Sequence, residues 1–594
     1  MSGGCHIKII GAKLLLEQAL KAGRRYAHVA LDLKNAHNSY SRRRCQEALN
    51  AAAADNPALT PLARAHHFDC GQPGDIFMRT GGGGQKNGFK HLCTSFVGGP
   101  QGSALTNLAF PMTINAALKK TEEKFPGVTV RAIQDDCDIM GDPDLIFGTN
   151  GDQGALQYLL DELKTAGLEP NVQKFQAFAT PTARDAVPSW LKQPSVITCP
   201  VQRERVATTS VLAEAAAAEA SAATDEEREA AAVKAGEAAE AAAEAARAVP
   251  EHHKAYGVIV CGAALGDKEF EAAFLEEQRT RIVNSIKSVS TTLATDSAHA
   301  ASTAIYYSLQ CRADFLLETH LPSLTRNLAR SVDEALRGAY ATAFGIDILN
   351  PEGHLRNQRD PTFLRDLAGL KAKAGGCGYR NTERRAVFLN ALNNALPQIA
   401  GTESAPTLWP ELVALLGEDS FKNGNEETRW QAFFASDSAW ATEMQSEITR
   451  VKGLRNAALA EAGLSASPPE HAVFDASPMG FGACIKKLHR VLFDDIRAHE
   501  ATALHRRASL LRPNDQRRMA FQQSHTCRFS NVLFAGPPSI HTRFTNKEFH
   551  VAVQSVVGAP LSILRQSTGQ PIKSPTTGST VSTVDHFGNN LKKL

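Results

Sequence analysis

The sequence predicts an α+β protein of more than one domain, and three observations carry that reading. Strand-like apolar runs alternate with segments of helical period between residues 26 and 166, and sequence of almost continuous helical period follows residue 268. The chain has 594 residues, whereas one hydrophobic core rarely grows past roughly 250 to 300 residues.

Taken in order, residues 26–31 read as a buried strand that delivers Asp32 at its end. Residues 42–54 and 103–120 read as helices. Residues 128–134 read as a second strand, Asp135-Asp136 as a tight turn and 137–140 as the returning strand. A helix is expected over 154–166. Residues 211–249 are almost wholly Ala and Glu, which favour helix but present no apolar stripe to bury, so a solvated insertion is expected there. Beyond it lie an apolar strand at 257–261 and helix-period sequence from 268 to about 345. A mostly helical region follows to about 512, broken by the Gly and Pro of 373–378 and 467–469. The Ser, Thr, Gly and Pro-rich end from 569 is expected to be poorly ordered.

Composition excludes several classes. No apolar run approaches the roughly 20 residues a membrane span needs, and residues 1–13 lack the features of a secretory leader, so an intracellular, membrane-free location is expected. The 11 cysteines are scattered without a CxxC pair, which argues against a zinc ribbon or a disulfide framework. Net charge is +2, but 211–250 holds nine acidic residues against Arg228, Lys234 and Arg247, leaving about +8 on the rest. That mild basic excess is compatible with a surface that follows phosphates.

The aspartates carry the chemistry. Nucleotidyl transfer needs two divalent cations about 3.5 to 4 Å apart, and Mg²⁺ takes carboxylate and phosphate oxygens, so its pattern is a few Asp on neighbouring strands. If 26–31 pairs with the 128–140 hairpin, Asp32 and Asp135 converge. A DD pair alone is more often a solvated turn. A calcium loop starting at Asp136 fits Asp138 and Gly141 but puts Met140 and Phe147 where oxygen ligands belong, so it is rejected. Gly81 to Gly84 are followed by no Gly-Lys-Ser/Thr and read as a hairpin tip.

Four segments, in order, resemble the reverse transcriptases of non-LTR retrotransposons. Leu31-Asp-Leu-Lys-Asn-Ala-His-Asn-Ser39 resembles their first catalytic motif, and Ser95-Phe-Val-Gly-Gly-Pro-Gln-Gly-Ser103 their Gly-x-x-Gln-Gly motif. Ile133-Gln-Asp-Asp136 is similar to the DD hairpin, and Gly167-Leu-Glu-Pro-Asn-Val-Gln-Lys174 to the Gly-Leu-x-x-Asn-x-x-Lys element that follows it. Further on, Gly257-Val-Ile-Val-Cys-Gly-Ala-Ala-Leu-Gly266 resembles the strand and turn that grip the primer end. Cys311-Arg-Ala-Asp-Phe-Leu-Leu317 resembles the thumb helix, and Gly375-Gly-Cys-Gly-Tyr-Arg380 a downstream Gly-Gly-x-Gly segment.

The resemblance implies a polymerase palm, an antiparallel sheet with packed helices, followed by a helical thumb and a predominantly helical C-terminal region. Because only 31 residues precede Asp32, the fingers are expected to be mostly missing. The implied layout is partial fingers and palm over 1–200, the insertion over 201–250, the end of the palm and the thumb over 251–345, a helical region over 346–530 and a C-terminal segment over 531–594. Asp32, Asp135 and Asp136 would bind two Mg²⁺ ions, with Mn²⁺ as an alternative, and Lys174 would give a proton to the pyrophosphate leaving group. Leu33, His37, Gln101 and Gly102 would line the nucleotide and template site, and Gly262, Leu265 and Gly266 the primer grip. His37 stands where the family has Phe or Tyr under the sugar, and Gln134 replaces a small or apolar residue before the Asp pair.

The implied partners are an RNA template, a DNA primer and deoxynucleoside triphosphates, and the implied activity is RNA-directed DNA polymerisation. An RNA-dependent RNA polymerase ranks below it, since that family would ask for a second Asp where His37 stands. The alternative from another class is a truncated, catalytically inactive retroelement remnant that at most binds nucleic acid. Arg42, Arg43 and Arg44, and the later Arg506, Arg507, Arg517 and Arg518, are candidate phosphate contacts, with a solvated helix face as the bland reading of the later group.

Overall fold

The structure, a computed structural model, describes residues 4–70, 74–80, 88–95, 97–99, 104–149, 151–200, 249–345, 363–370, 432–464, 499–511, 545–550, 571–573 and 580–583. It is a mixed fold of helices and small antiparallel sheets in two compact units, Met1–Phe274 and Leu275–Leu594. No described helix is long and apolar enough to cross a membrane. Gln101, Gly102, Gly81 to Gly84, Arg517, Arg518, the 375–380 segment and all but the end of the Ala/Glu stretch lie outside the described residues.

The first unit begins with α1 (Gly4–Lys21), β1 (Ala27–Leu31), β2 (Leu33–Lys34), α2 (Ala36–Ser39), α3 (Arg42–Asp55) and α4 (Thr60–Cys70). The hairpin of β3 (Gly74–Thr80) and β4 (Gly88–Ser95), the long α5 (Ala104–Lys124), and β5 (Val128–Ile133) and β6 (Asp136–Gly141) follow. Next come α6 (Pro143–Phe147), α7 (Ala155–Thr165), β7 (Glu169–Pro170), β8 (Gln176–Ala179), β9 (Ser195–Ile197), β10 (Lys254–Val260) and β11 (Ala263–Gly266). The helix expected to end near 120 continues to Lys124, with Pro111 inside it.

The central sheet has the order β5-β6-β1-β8, antiparallel throughout. Side chains alternate across a strand. One face of β1 therefore sends Ala27, Val29 and Leu31 into a core shared with Phe110 and Ile114 of α5 and Leu156, Leu159, Leu160 and Leu163 of α7. The apolar residues of α7 recur at helical spacing, which is why this short helix lies flat on the sheet. α3 starts where Ser41 accepts the Arg44 backbone N–H as an N-cap.

The other face carries His28 and Ala30 on β1, with Asp32 just past its end, Asp136, Asp138 and Met140 on β6, and Gln176 and Phe178 on β8. α1 packs beside β5 and β11, and β10 lies against β1 and β8. β10 joins β9 and β11 in a second antiparallel sheet, so residues 254–266 fold with the first unit even though a long stretch of sequence separates them from β9. Gly257 pairs with Gly266, and a Cβ on Gly257 would stand 2.1 Å from the Phe270 ring. Glycine is required there by close approach.

The second unit is helical through the end of α8 (Lys268–Asp296), α9 (Ala298–Tyr307), α10 (Asp314–Thr319), α11 (Pro322–Phe344), α12 (Phe363–Gly369) and α13 (Ala439–Ala462). On α11, Leu328, Val332, Leu336, Ala339 and Tyr340 form one buried stripe, and Gly345 ends the helix with a left-handed φ of 69°. The terminal stretch expected to lack order contains a short antiparallel pair, β12 (Pro571–Lys573) with β13 (Thr580–Thr583). Each strand carries one β-branched aliphatic residue, Ile572 and Val581, too few to stand out against the Ser and Thr content.

Candidate functional site

β1 and β6 pair with Leu31 opposite Cys137 and Ala30 opposite Asp138, so Asp32 falls beside Asp136 at the sheet's end. The turn is one residue earlier than the sequence suggests. Gln134 and Asp135 form its two central residues and Asp136 already belongs to the returning strand. Gln134 has φ of 56°, at a hairpin position where glycine is usual. Asp135 is therefore at the exposed tip, while Asp136 faces the sheet's polar side.

A cavity of about 410 Å³ opens on that side, and its lining includes Asp32, Asp136, Asp138, Lys174, Lys192 and Gly262. Carboxylates from β1 and β6 thus face two lysines. Asp32 is held from the 169–174 segment: Lys34 and Leu33 pair with Glu169 and Pro170, and the Asn171 backbone N–H donates to the Asp32 carbonyl at 2.8 Å. The Asn171 side-chain amide donates to Asp32 Oδ2 at 2.9 Å, and Lys174 Nζ lies 3.4 Å from the same oxygen.

Partial desolvation pushes the Asp136 carboxyl above its ordinary range, opposed by Lys8 and reinforced by the neighbouring charges of Asp135 and Asp138. Asp138 is buried, whereas Asp136 stays exposed at the strand's start. Burial alone would raise the Asp138 carboxyl, but the Lys8 ammonium at 2.9 Å and His28 Nε2 at 3.6 Å hold it below the usual range. Lys8 also donates to the Asp136 carbonyl at 2.8 Å.

The β10–β11 hairpin closes the cavity through Cys261 and Gly262, whose φ values of 47° and 81° give both central turn residues the positive φ of a type I′ turn. Gln176 accepts the Ile259 backbone N–H at 3.0 Å, fixing this hairpin to β8. Leu265 and Gly266 are buried in the hairpin, away from the cavity. Leu33 packs in the core, and the His37 ring is buried and stacked on Phe110 at 4.6 Å, so neither side chain reaches the cavity. The short α2 turns His37 inward toward α5, which the motif alone does not disclose.

The loop leading to Gln101 is docked on α2. Gly98 and Gly99 donate to the carbonyls of Tyr40 and His37, and a Cβ on Gly98 would stand 2.2 Å from the Asn38 backbone. Arg42 donates to the Gly98 carbonyl at 2.6 Å, whereas Arg43 and Arg44 pair with Glu47 on the surface. Arg507 pairs with Asp366 in the second unit.

No family model matches the chain, and no curated protein does.

The donor set suits a hard divalent cation: Asp32 and Asp136 line one cavity and Asp135 adjoins them. Among the described residues no three His, Cys, Asp or Glu side chains are gathered closely enough to hold a metal ion, and Asp32 is engaged by Asn171 and Lys174. Lys8 and Lys192 carried no signal in sequence, since isolated charged residues show no period or motif that announces a shared cavity, and Asp138 entered there only through the rejected calcium loop.

Proposed function

We propose that the chain is an RNA-directed DNA polymerase, with the four-stranded sheet, α5 and α7 as its palm and the helices between residues 275 and 345 as its thumb. One observation supports this above the others: the β1–β6 register sets Asp32 beside Asp136, with Asp135 at the hairpin tip. These aspartates come from segments about a hundred residues apart, in the order that the motif resemblance requires.

In this reading a primer 3′-hydroxyl attacks the α-phosphate of a deoxynucleoside triphosphate and pyrophosphate leaves. Asp32, Asp135 and Asp136 would supply the negative charge to hold two Mg²⁺ ions, or Mn²⁺. Bound there, the ions would lower the pKa of the attacking hydroxyl and offset the charge of the triphosphate. Asn171 fixes the Asp32 carboxylate by its amide, so the group needs little reorganisation. Lys174 Nζ protonates the departing pyrophosphate oxygen. In the free protein that ammonium rests against Asp32, offsetting a carboxylate that would otherwise face the cavity uncompensated. Gly262 lets the hairpin backbone come close to the primer end.

Primer extension on an RNA template with Mg²⁺ or Mn²⁺, comparing the chain with Asp135→Ala, tests the proposal. Extension that depends on Asp135 is expected. Equal product from both proteins would remove it and leave the inactive remnant, a reading that the engagement of Asp32 by Lys174 and Asn171 also permits.

A further inference from the structure

α1 sends two buried lysines into the first unit, and only one touches the candidate site. Lys8 Nζ lies 2.9 Å from Asp138 Oδ2 and 2.8 Å from the Asp136 carbonyl oxygen, with lysine and aspartate side chains both about 3% exposed. Interior ion pairs are often no better than apolar packing, so stability alone gives weak grounds for a charge pair at this position. Its location supplies another.

The Lys8 ammonium engages two points on the same strand. It donates a hydrogen bond to the main chain of Asp136 and forms an ion pair with the side chain two residues on, which points to the same face. Tethering the carbonyl fixes the plane of the strand where the Asp136 carboxylate leaves it. Engaging Asp138 keeps a third cavity-facing carboxylate occupied, so that it does not compete for a cation. Next to this clamp the chain turns through Gln134 in a left-handed conformation, a site where the strand would otherwise relax.

We infer that Lys8 is a positioning residue that sets the Asp136 carboxylate for divalent-cation binding by holding the Asp136 carbonyl, an inference that rests on the two-metal reading of the cavity. Metal-site partners of this kind change metal affinity by about 10- to 100-fold when removed.

The test is a Mn²⁺ titration of the full chain, followed by the paramagnetic resonance signal of the free ion, with melting temperature and primer extension recorded on each protein. Lys8→Met combined with Asp138→Asn removes both buried charges, so neither is left unpaired. Lys8→Arg keeps the charge opposite Asp138 but replaces a compact ammonium by a planar fork that cannot meet both acceptors in the same way. Each is expected to bind Mn²⁺ about 10- to 100-fold more weakly and to need correspondingly more Mg²⁺ for half-maximal extension, with the nucleotide KM unmoved. Parental Mn²⁺ affinity in either folded variant overturns the inference, and if the double variant does not fold, Lys8→Arg decides alone. Loss of the two-metal reading has a different signature: Asp32→Ala and Asp136→Ala would then also leave Mn²⁺ binding unchanged, and the role of Lys8 falls with it.

Discussion

Asn171 holds Asp32 at two points, by its backbone N–H to the Asp32 carbonyl at 2.8 Å and by its side-chain amide to Asp32 Oδ2 at 2.9 Å. The main-chain bond survives any substitution except proline, so replacing the side chain isolates the bond to the carboxylate. Hydrogen bonds to charged groups contribute about 1.5 to 3 kcal/mol. Asn171→Ala is therefore expected to lower kcat/KM for primer extension by about 10- to 150-fold, with little change in melting temperature. Unchanged kinetics would show that Asp32 needs no such support.

Lys174 is two-thirds exposed and meets Asp32 at 3.4 Å, so its pairing adds little to stability. Its expected effect is on chemistry. Lys174→Gln should lower kcat by about 100-fold or more, the usual scale for a general acid, while melting and template binding stay as in the parent. Single-turnover extension distinguishes this from slower product release.

Gln134 holds φ at 56° in the hairpin turn, a conformation that costs a non-glycine residue about 1 kcal/mol or more. Gln134→Gly removes that cost but adds backbone freedom to the unfolded chain. Urea denaturation should show a net gain below about 1 kcal/mol, whereas Gln134→Val, branched at Cβ, should lose stability. A loss on Gln134→Gly would mean that the side chain supports the turn through a contact of its own.

Lys13 and Glu271 are buried 2.8 Å apart, yet burial outweighs their attraction: the Glu271 carboxyl is raised and the Lys13 ammonium lowered from their ordinary values. A raised carboxyl binds a proton more readily in the folded state, so stability falls as pH rises from 4.5 through the folded value. A lowered lysine releases its proton more readily when folded, so stability recovers as pH climbs toward 10.5. At neutral pH the pair is a net cost. Lys13→Met with Glu271→Leu is expected to stabilise the chain by about 1 to 4 kcal/mol at pH 7, with the advantage shrinking as pH falls through the raised Glu271 value toward 4.5. Denaturation at pH 4 and pH 7 checks both the size and the direction.

Strand and helix content was legible wherever the period was clean. Residues 26–31 alternate between two faces, and residues 154–166 carry a regular leucine stripe, so both segments could be placed without tertiary information. The convergence of Asp32 with the hairpin followed from one assumption, that the two elements are neighbours, which the β1–β6 ladder supplies. The turn was misplaced by one residue because Asp favours turns, whereas here Gln134 takes the unusual φ. His37 lies against Phe110 because of the direction in which α2 leaves β2, a property of the assembled unit. Lys8 was silent for the same reason. A charged residue in an apolar stretch reads as exposed until its partner, 130 positions away, is known to be there.

The alternation along β1 makes position a matter of counting. Asp32 faces the polar side because an odd number of peptide steps separates it from Leu31, Val29 and Ala27, which fill the core. Most single replacements in this strand leave that parity intact. Deleting or inserting one residue between 27 and 31 would reverse it, driving a carboxylate into the leucines of α7 and an aliphatic side chain into the cavity. A lineage of such genes should therefore tolerate changed letters here far better than a changed length.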